Sequence, residues 1–421
     1  MISTQTSCTD INESGLIHFD TAKKTILDAL PRLHGTQQVP IEQATGRCLA
    51  ESIISPINVP AQTNSAVDGY ALRGSELATD TDETSFTIQA RVLAGQFLTE
   101  ACLANHCVRI MTGAAMPNDL DTVIMQEHCQ SDGNTIRIDA RHSAGQNVRH
   151  AGEDIQQGEL VLQQGKQLSP ADIGLLASLG LTEIKVRRKL RIAIASTGDE
   201  VYSPASLASV GGLYDSNRYS LLAALDRADI ELIDLGIIPD QEAELLKQFN
   251  AAASYADLII SSGGVSVGEA DFTKSALKAS GQINFWKIAI KPGRPLAFGK
   301  IQQSTFFGLP GNPVAVLVTF YQFVLPAIEK MLGINQQAIA PILKARSLNS
   351  IRKRAGRTEF PRGIVSQNAA GELQVSTTGK QGSGILSSMS IANAFIVLQH
   401  DRESIQPGEW VDVQLFSNLF H

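Results

Sequence analysis

Between Arg191 and Pro313 the chain alternates between two spacings of apolar residues. Short, nearly continuous apolar runs are followed by stretches with apolar residues at helical intervals. The pattern predicts a strand over 192–196, a helix over 218–227, a strand over 232–236 and a helix over 241–253. A strand over 258–260, a helix over 272–279, strands near 284–290 and 296–300 and a helix from Pro313 follow. Strands interleaved with helices of this length predict a central three-layer α/β domain with an open, mainly parallel sheet. Outside it the texture differs. Phe19, Ala22, Ile26, Leu27 and Leu30 lie at helical spacing after Asp20 and Thr21, which predicts an amphipathic helix over 19–33. From Asn64 to about Ala140, β-like runs at 86–93, 107–111, 123–125 and 135–138 are separated by turns and predict a small β-rich domain. A strand at 159–162 and a helix at 172–179, introduced by Ser169 and Pro170 as cap and first-turn residue, come next. The basic stretch 185–191 marks a boundary. Beyond Gly333, β-like runs at 364–365, 373–375, 395–398 and 410–415 predict a β-rich C-terminal domain.

Composition narrows this picture. A chain of 421 residues exceeds one ordinary core, and 43% apolar content supports packed domains. A formal net charge of -7 leaves no general basic footprint, which argues against nucleic acid as a partner. The N-terminal MISTQTSCTD has no signal-peptide pattern, and the longest apolar run, 314–328, contains Gln322 and Pro326 and is too short to span a bilayer. A soluble, cytoplasmic protein without membrane contact is expected. Five cysteines without a CxxC pair read as free thiols in a reducing compartment, and Cys102, His106, Cys107 and His128–Cys129 match no common zinc spacing.

Candidate chemistry collects at the predicted C-terminal ends of the central strands, where open α/β sheets bind ligands. The run 257–260 empties into Ser261, Ser262, Gly263 and Gly264, and Asp271 opens the next helix. Glycines let backbone N–H groups approach an anion, and a helix N-terminus adds partial positive charge, although such turns also occur in any α/β fold. Lys287 and Lys291 flank 288–290, so alternation places both on one strand face ahead of the Pro292, Gly293, Pro295 loop. Asn312 reads as an N-cap with Pro313 in the first turn, a second helix N-terminus near the same edge. The first strand ends in Asp199 and Glu200, and with Asp271 and Asp240 these carboxylates share the edge. Two carboxylates about 5 Å apart repel by roughly 3 kcal/mol at an effective dielectric near 20, so a hard cation such as Mg²⁺ is the natural neutraliser, bridging to a phosphate. The residues thus imply a phosphate-bearing ligand with a divalent ion. Three further features stand out: the turns 64–70 and 109–113, Arg149 near Glu153 and Asp154, and a basic stretch of Arg352, Lys353, Arg354, Arg357 and Arg362 that reads as a solvated face.

SAVDGYAL, RIMTGA, GEDI, STGDE, SSGGVSVGEADFTK, WKIAIKPGRPLAFG, LPGNP, RTEFPRG and QGSGILSSMS occur in this order along nearly the whole chain. Together they resemble the molybdopterin molybdenumtransferase family, which includes bacterial MoeA and the E domain of gephyrin. The resemblance implies insertion of molybdenum from molybdate into adenylylated molybdopterin with Mg²⁺, hydrolysis of the adenylate, and release of AMP and molybdenum cofactor. It implies four domains: a discontinuous N-terminal linker domain (1–60 and 150–189), an inserted β-rich domain (61–149), a molybdopterin-binding α/β domain (190–335) and a C-terminal β domain (336–421). It implies catalytic roles for Asp68, Asp154, Glu200, Asp240 and Asp271, with Glu200 and Asp271 as metal ligands. Substrate binding falls to Thr112, Ser262, Gly263, Gly264, Lys287, Lys291, Pro310, Pro313, Arg362 and Ser383. Val67, His150 and Arg294 stand where methionine, another basic residue and lysine are frequent, and none of these departures removes a carboxylate or lysine from the site. The implied partners are a second copy of the chain and, transiently, the adenylyltransferase that supplies the substrate and acceptor molybdoenzymes. A two-fold dimer would bring the α/β residues of one subunit against Asp68, Thr112, Arg362 and Ser383 of the other. Two other readings stay open: the adenylyltransferase itself, which is much shorter, and a gephyrin-like scaffold, for which no extra partner domain is evident.

Overall fold

The computed structural model describes residues 15–78, 83–139, 141–263, 281–335 and 341–416. In the central domain we label β1 (Leu190–Thr197), α1 (Ser216–Ala224), β2 (Ile230–Ile238), α2 (Glu242–Ala253), β3 (Leu258–Ser262), β4 (Gly281–Lys287), β5 (Pro295–Ile301), β6 (Ser304–Leu309) and α3 (Pro313–Thr319). The six strands lie in the order β2-β1-β3-β6-β5-β4. The pairings β2–β1, β1–β3 and β3–β6 are parallel, while β6–β5 and β5–β4 are antiparallel. The sheet is therefore mainly parallel, as the alternating pattern predicts.

Two-residue periodicity divides the strands between two cores. Ile192, Ile194, Leu258, Ile260, Phe307 and Leu309 pack on one face with Leu221 of α1, Leu225 just after it, and Val314 and Val318 of α3. Ala193, Ala195, Ile259 and Phe306 pack on the other with Leu245, Phe249 and Ala252 of α2. Truncating a fully buried ring such as Phe306 to alanine removes about 3–5 kcal/mol.

Strand β6 is absent from the sequence-based prediction, yet it sits in mid-sheet with every residue buried. The turn before it explains why. Gln302 adopts φ +52°, a left-handed conformation that Asn or Gly normally signals in a hairpin, so the Gln302–Gln303 turn carries no such mark. The predicted strand over 284–290 is also divided. β4 stops at Lys287; the Ile288 and Ala289 N–H groups then donate to the Arg294 and Ile17 carbonyls, and Ile290–Lys291 forms a separate strand paired with Thr358–Glu359. Lys287 and Lys291 consequently do not share one face of one strand.

The helix of α3 continues through a π-helical turn, Phe320–Val324, into Leu325–Leu332. Pro326, which has no N–H to donate, lies two residues past the end of that turn. By length and apolarity Pro313–Leu332 could cross a membrane, but 67% of its most apolar 18-residue stretch is buried inside the protein, where it packs in the central core.

The N-terminal segment splits in its packing. Phe19–Ala29 is helical and buries Phe19, Ala22 and Ile26 in the central core, against Phe323 and Ile328 among others. Thr36–Pro40 instead pairs with Glu183–Arg187, and Ile53–Ile54 with Leu160–Leu162. Val39 and Leu49 share a small core there with Leu162, Leu176 and Val186. Ser169 caps the helix Pro170–Ser178 through a reciprocal bond pair with Asp172.

The intervening stretch of chain, 69–138, forms a six-stranded sheet ordered Thr122–Met125, Gly69–Leu72, His106–Ile110, Thr84–Val92, Thr135–Ile138, Cys129–Ser131. The C-terminal region closes as a barrel of Leu343–Ser347, Leu373–Thr377, Arg362–Gln367, Ala394–Val397 and Trp410–Leu415. Its basic stretch is not a solvated face throughout. Lys353 and Arg362 are buried, and the Lys353 ammonium donates to the carbonyls of Arg354, His400 and Arg402. Burial also governs the thiols: Cys107 is pushed up to about 12 and Cys48 to about 11, which makes them inert packing groups.

Candidate functional site

The C-terminal edge of the central sheet is assembled from strand ends that need unusual backbone conformations. Gly263 ends β3 with φ +93°, and a Cβ there would lie 2.5 Å from the Thr197 carbonyl oxygen at the end of β1. Only glycine fits. Gly198 has φ +138°, and a Cβ would lie 2.7 Å from Glu200 Oε2, so the Glu200 carboxylate folds back over it. Asp199 Oδ1 accepts from the Asp240 N–H at 3.1 Å. Asp199, Glu200 and Asp240 thus share the edge as the sequence implied; Gly264 and Asp271 lie outside the described residues. Among the described residues no group of three or more His, Cys, Asp or Glu forms a ready metal cage. The donors present at this edge are nevertheless all oxygens, with Glu200 exposed, which is the donor type a hard cation takes.

Two residues that sequence reasoning passed over organise this edge. Asn217 Nδ2 donates to Ser262 Oγ at 2.8 Å and to the Gly311 carbonyl at 2.8 Å, tying the loop after β3 to the loop before α3. Asp215 is buried and caps α1, accepting from the Arg218 N–H, the Arg218 guanidinium and Ser196 Oγ. The signal was present as an Asp-Ser-Asn cap sequence, but the helix was read as starting at Arg218, which left both residues in a loop. Among the described residues, Thr197 Oγ1, Ser261 Oγ and Asn217 Oδ1 are buried here without a hydrogen-bond partner. Such atoms are costly unless something arrives to satisfy them.

Cations gather where the C-terminal barrel meets α3. Asn312 precedes the helix, but its side chain makes no capping bond. The barrel supplies a partner instead: the Val314 N–H donates to the Ser383 carbonyl at 3.0 Å. Pro310 is buried, Pro313 occupies the first turn, and Gly293 (φ +106°) lets the preceding loop lie against Thr319, whose Cγ2 would be 2.7 Å from any Cβ. Lys291 Nζ pairs with Glu359 Oε2 at 3.1 Å, and Arg357 Nε holds Glu359 Oε1 at 2.8 Å. Lys287 is exposed at the end of β4. Arg362 is 1% exposed; it donates to Ser388 Oγ and to the Lys380 and Gly382 carbonyls, and burial pulls its guanidinium down to about 10. Arg362 and Ser383 therefore join the α/β edge within one chain, whereas the sequence reading had them reaching it from a partner subunit. The reason is a contact within the chain: pairing of Ile290–Lys291 with Thr358–Glu359 joins the segment after β4 to the segment that leads into the barrel strand Arg362–Gln367.

Asp68 and Thr112 come together elsewhere, in the inserted sheet. Asp68 Oδ1 accepts from the Thr112 N–H at 2.8 Å and from Thr112 Oγ1 at 2.7 Å. These bonds hold the carboxyl below the usual range, with the Arg109 charge adding to the effect. Arg109 in turn stacks on Tyr70 and donates to its hydroxyl. Asp154 sits exposed on a turn. Glu153 accepts from the His150 N–H, and Arg149 forms no ion pair among the described residues.

Residues 17–180 match the MoeA N-terminal region (domain I and II), 193–330 a probable molybdopterin binding domain, and 344–416 the MoeA C-terminal region (domain IV). A molybdopterin molybdenumtransferase of Haemophilus influenzae is 44% identical over 96% of this chain and 100% of its own length. The chain belongs to the molybdopterin molybdenumtransferase family. A second member, from Nostoc, is 34% identical over 93% of this chain and 91% of its own. Gephyrin of Dictyostelium discoideum is 32% identical over 95% of this chain, which spans 62% of gephyrin. The crystal structure of a molybdopterin biosynthesis moeA protein from Pyrococcus horikoshii aligns with TM-score 0.84 at 29% identity, over 95% of this chain and 100% of that one.

Proposed function

We propose that the chain inserts molybdenum from molybdate into adenylylated molybdopterin, hydrolysing the adenylate so that AMP and molybdenum cofactor leave. The observation that supports this most directly is Arg362. Its guanidinium is buried, bonded only to neutral oxygens, and paired with no carboxylate among the described residues. A buried cation without a counter-ion is unfavourable until an anion joins it. In this reading the Ser383 loop, the first turn of α3 and Lys291 would join Arg362 in holding a dianion such as molybdate.

The sheet edge takes the other half of the chemistry. Ser262, Gly263 and the Asn217-tied loops form a rim suited to the phosphate and pterin portions of the substrate. Glu200 and Asp271 would hold Mg²⁺, which when bound neutralises charge at the adenylate phosphate. Asp68 is a carboxylate at neutral pH, and the Thr112 bonds lower its pKa further, which makes it a fixed negative charge and hydrogen-bond acceptor and a weaker base. In this reading Asp154, Asp240 and Lys287 act at the periphery, the working form is a homodimer in the cytoplasm, and the adenylyltransferase and acceptor molybdoenzymes dock transiently.

Incubation of purified protein with adenylylated molybdopterin, molybdate and Mg²⁺ tests the proposal. AMP release that depends on molybdate, with reconstitution of an apo-molybdoenzyme, is expected. Retention of the adenylylated pterin without AMP release under all three conditions would refute it, and pyrophosphate production from ATP and molybdopterin would point to the adenylyltransferase reaction instead.

A further inference from the structure

Glu359 is the carboxylate among the barrel's site cations, and its two oxygens are divided: Oε1 binds Arg357 and Oε2 binds Lys291. Its backbone is fixed, because the Glu359 N–H donates to the Leu398 carbonyl and the Leu398 N–H donates back, each at 2.9 Å. On the other side the Phe360 N–H donates to the Lys291 carbonyl at 2.9 Å. The side chains differ in freedom. Glu359 is 4% exposed, whereas Lys291 is 48% exposed on a flexible four-carbon stem.

We propose that Glu359 is a charge gate on Lys291, a carboxylate that an incoming oxyanion must displace and hence a determinant of which anions the site accepts. This rests on the reading of Lys291 as an anion-capturing residue. When Lys291 swings to an anion, Arg357 stays on Oε1 and keeps the buried carboxylate neutralised, so release costs less than breaking an isolated buried pair. Attraction scales with the product of charges. A compact dianion can compete with the Glu359 carboxylate for Lys291; a monoanion such as nitrate competes poorly. Glu359 therefore acts through Lys291 as a positioning and selectivity residue and does not touch the substrate.

Equilibrium dialysis of molybdate, with nitrate as competitor, tests this on the full-length protein. Glu359→Gln is expected to bind molybdate about twofold to fivefold tighter, the size set by a half-exposed ion pair, and to become sensitive to nitrate. Arg357→Gln is expected to shift the opposite way by a similar factor, since Glu359 then retains Lys291 alone. A purely structural role would weaken binding in both variants. In turnover the half-saturating molybdate concentration should move while that for adenylylated pterin stays put. Should Glu359→Gln not fold, Glu359→Asp lengthens the Lys291 contact and shifts binding in the same sense. Unchanged or weaker molybdate binding in the Glu359 variants overturns the gate. Lys291→Ala separates the two ideas: if it leaves molybdate binding intact, the assignment of Lys291 itself fails, whereas weakened binding there with no gain at Glu359 removes only the gate.

Discussion

The barrel edge and the inserted β-rich domain solve the same problem differently. Asp68 and Thr112 are brought together by one small sheet, bonded to each other and exposed. Arg362, Ser383 and Lys291 come from two domains and depend on long-range contacts: the Lys291–Glu359 pair and the bond from Val314 to Ser383. The first pair is prebuilt and needs delivery to the rest of the site. The second group exists only because barrel and sheet are stitched together within one chain.

Complementation breaks this comparison most sharply. If the inserted domain reaches the site from a partner subunit, a mixed dimer of Asp68→Ala and Arg362→Met chains keeps one intact site and should show about half the wild-type AMP release. A mixed dimer of Lys291→Ala and Arg362→Met chains should show none, because both residues belong to the same chain's half. Activity in the second pairing would undo the stitching in cis, and inactivity in the first would place Asp68 in the same chain's site.

The next largest effect concerns the barrel side alone. Molybdate should raise the thermal midpoint of the wild type, since a bound anion stabilises the Arg362 charge that burial disfavours. The sign follows from a lowered basic pKa, about 10: across the range below that value the charged guanidinium destabilises the empty fold. Arg362→Met should lose the molybdate-dependent rise and most of the AMP release. A rise equal to that of the wild type, measured by calorimetry, would mean the anion sits elsewhere.

Loosening the sheet edge is a smaller intervention. Asn217→Ala removes both donations that join the Ser262 and Gly311 loops, which should cost about 1–2 kcal/mol in urea unfolding and weaken adenylylated pterin binding more than molybdate binding. Equal weakening of the two ligands would show that Asn217 supports the whole site rather than its pterin rim. The smallest effect belongs to the prebuilt pair. Thr112→Val deletes the hydroxyl bond but keeps the stronger backbone bond to Asp68, so the Asp68 pKa rises part of the way towards its ordinary value. The acid limb of the AMP-release profile should then move to higher pH, because a carboxylate with a higher pKa loses its charge earlier as pH falls. A profile unmoved by the substitution would remove Asp68 ionisation from the rate.

Much of this protein is written locally. The alternation of apolar runs and helical spacing is enough to place β1, α2 and β3, because each buries a face whose period the chain itself displays. The Ser169–Pro170 cap, the Asp68 turn and the glycines at 198 and 263 are short-range chemistry, readable from residue type. Strand β6 was not readable, since its hairpin uses Gln302 in a left-handed conformation that its neighbours impose. Nor could the sequence show that Lys353 and Arg362 are buried rather than solvated: a run of basic residues looks the same in either case until the barrel closes around it. The partner of Lys291 lies 68 residues away at Glu359, and the acceptor for the Val314 N–H comes from the Ser383 loop. Only the packing of barrel against sheet decided those contacts, because ion pairs and backbone bonds between distant segments depend on where the chain folds and leave no periodic trace in the sequence.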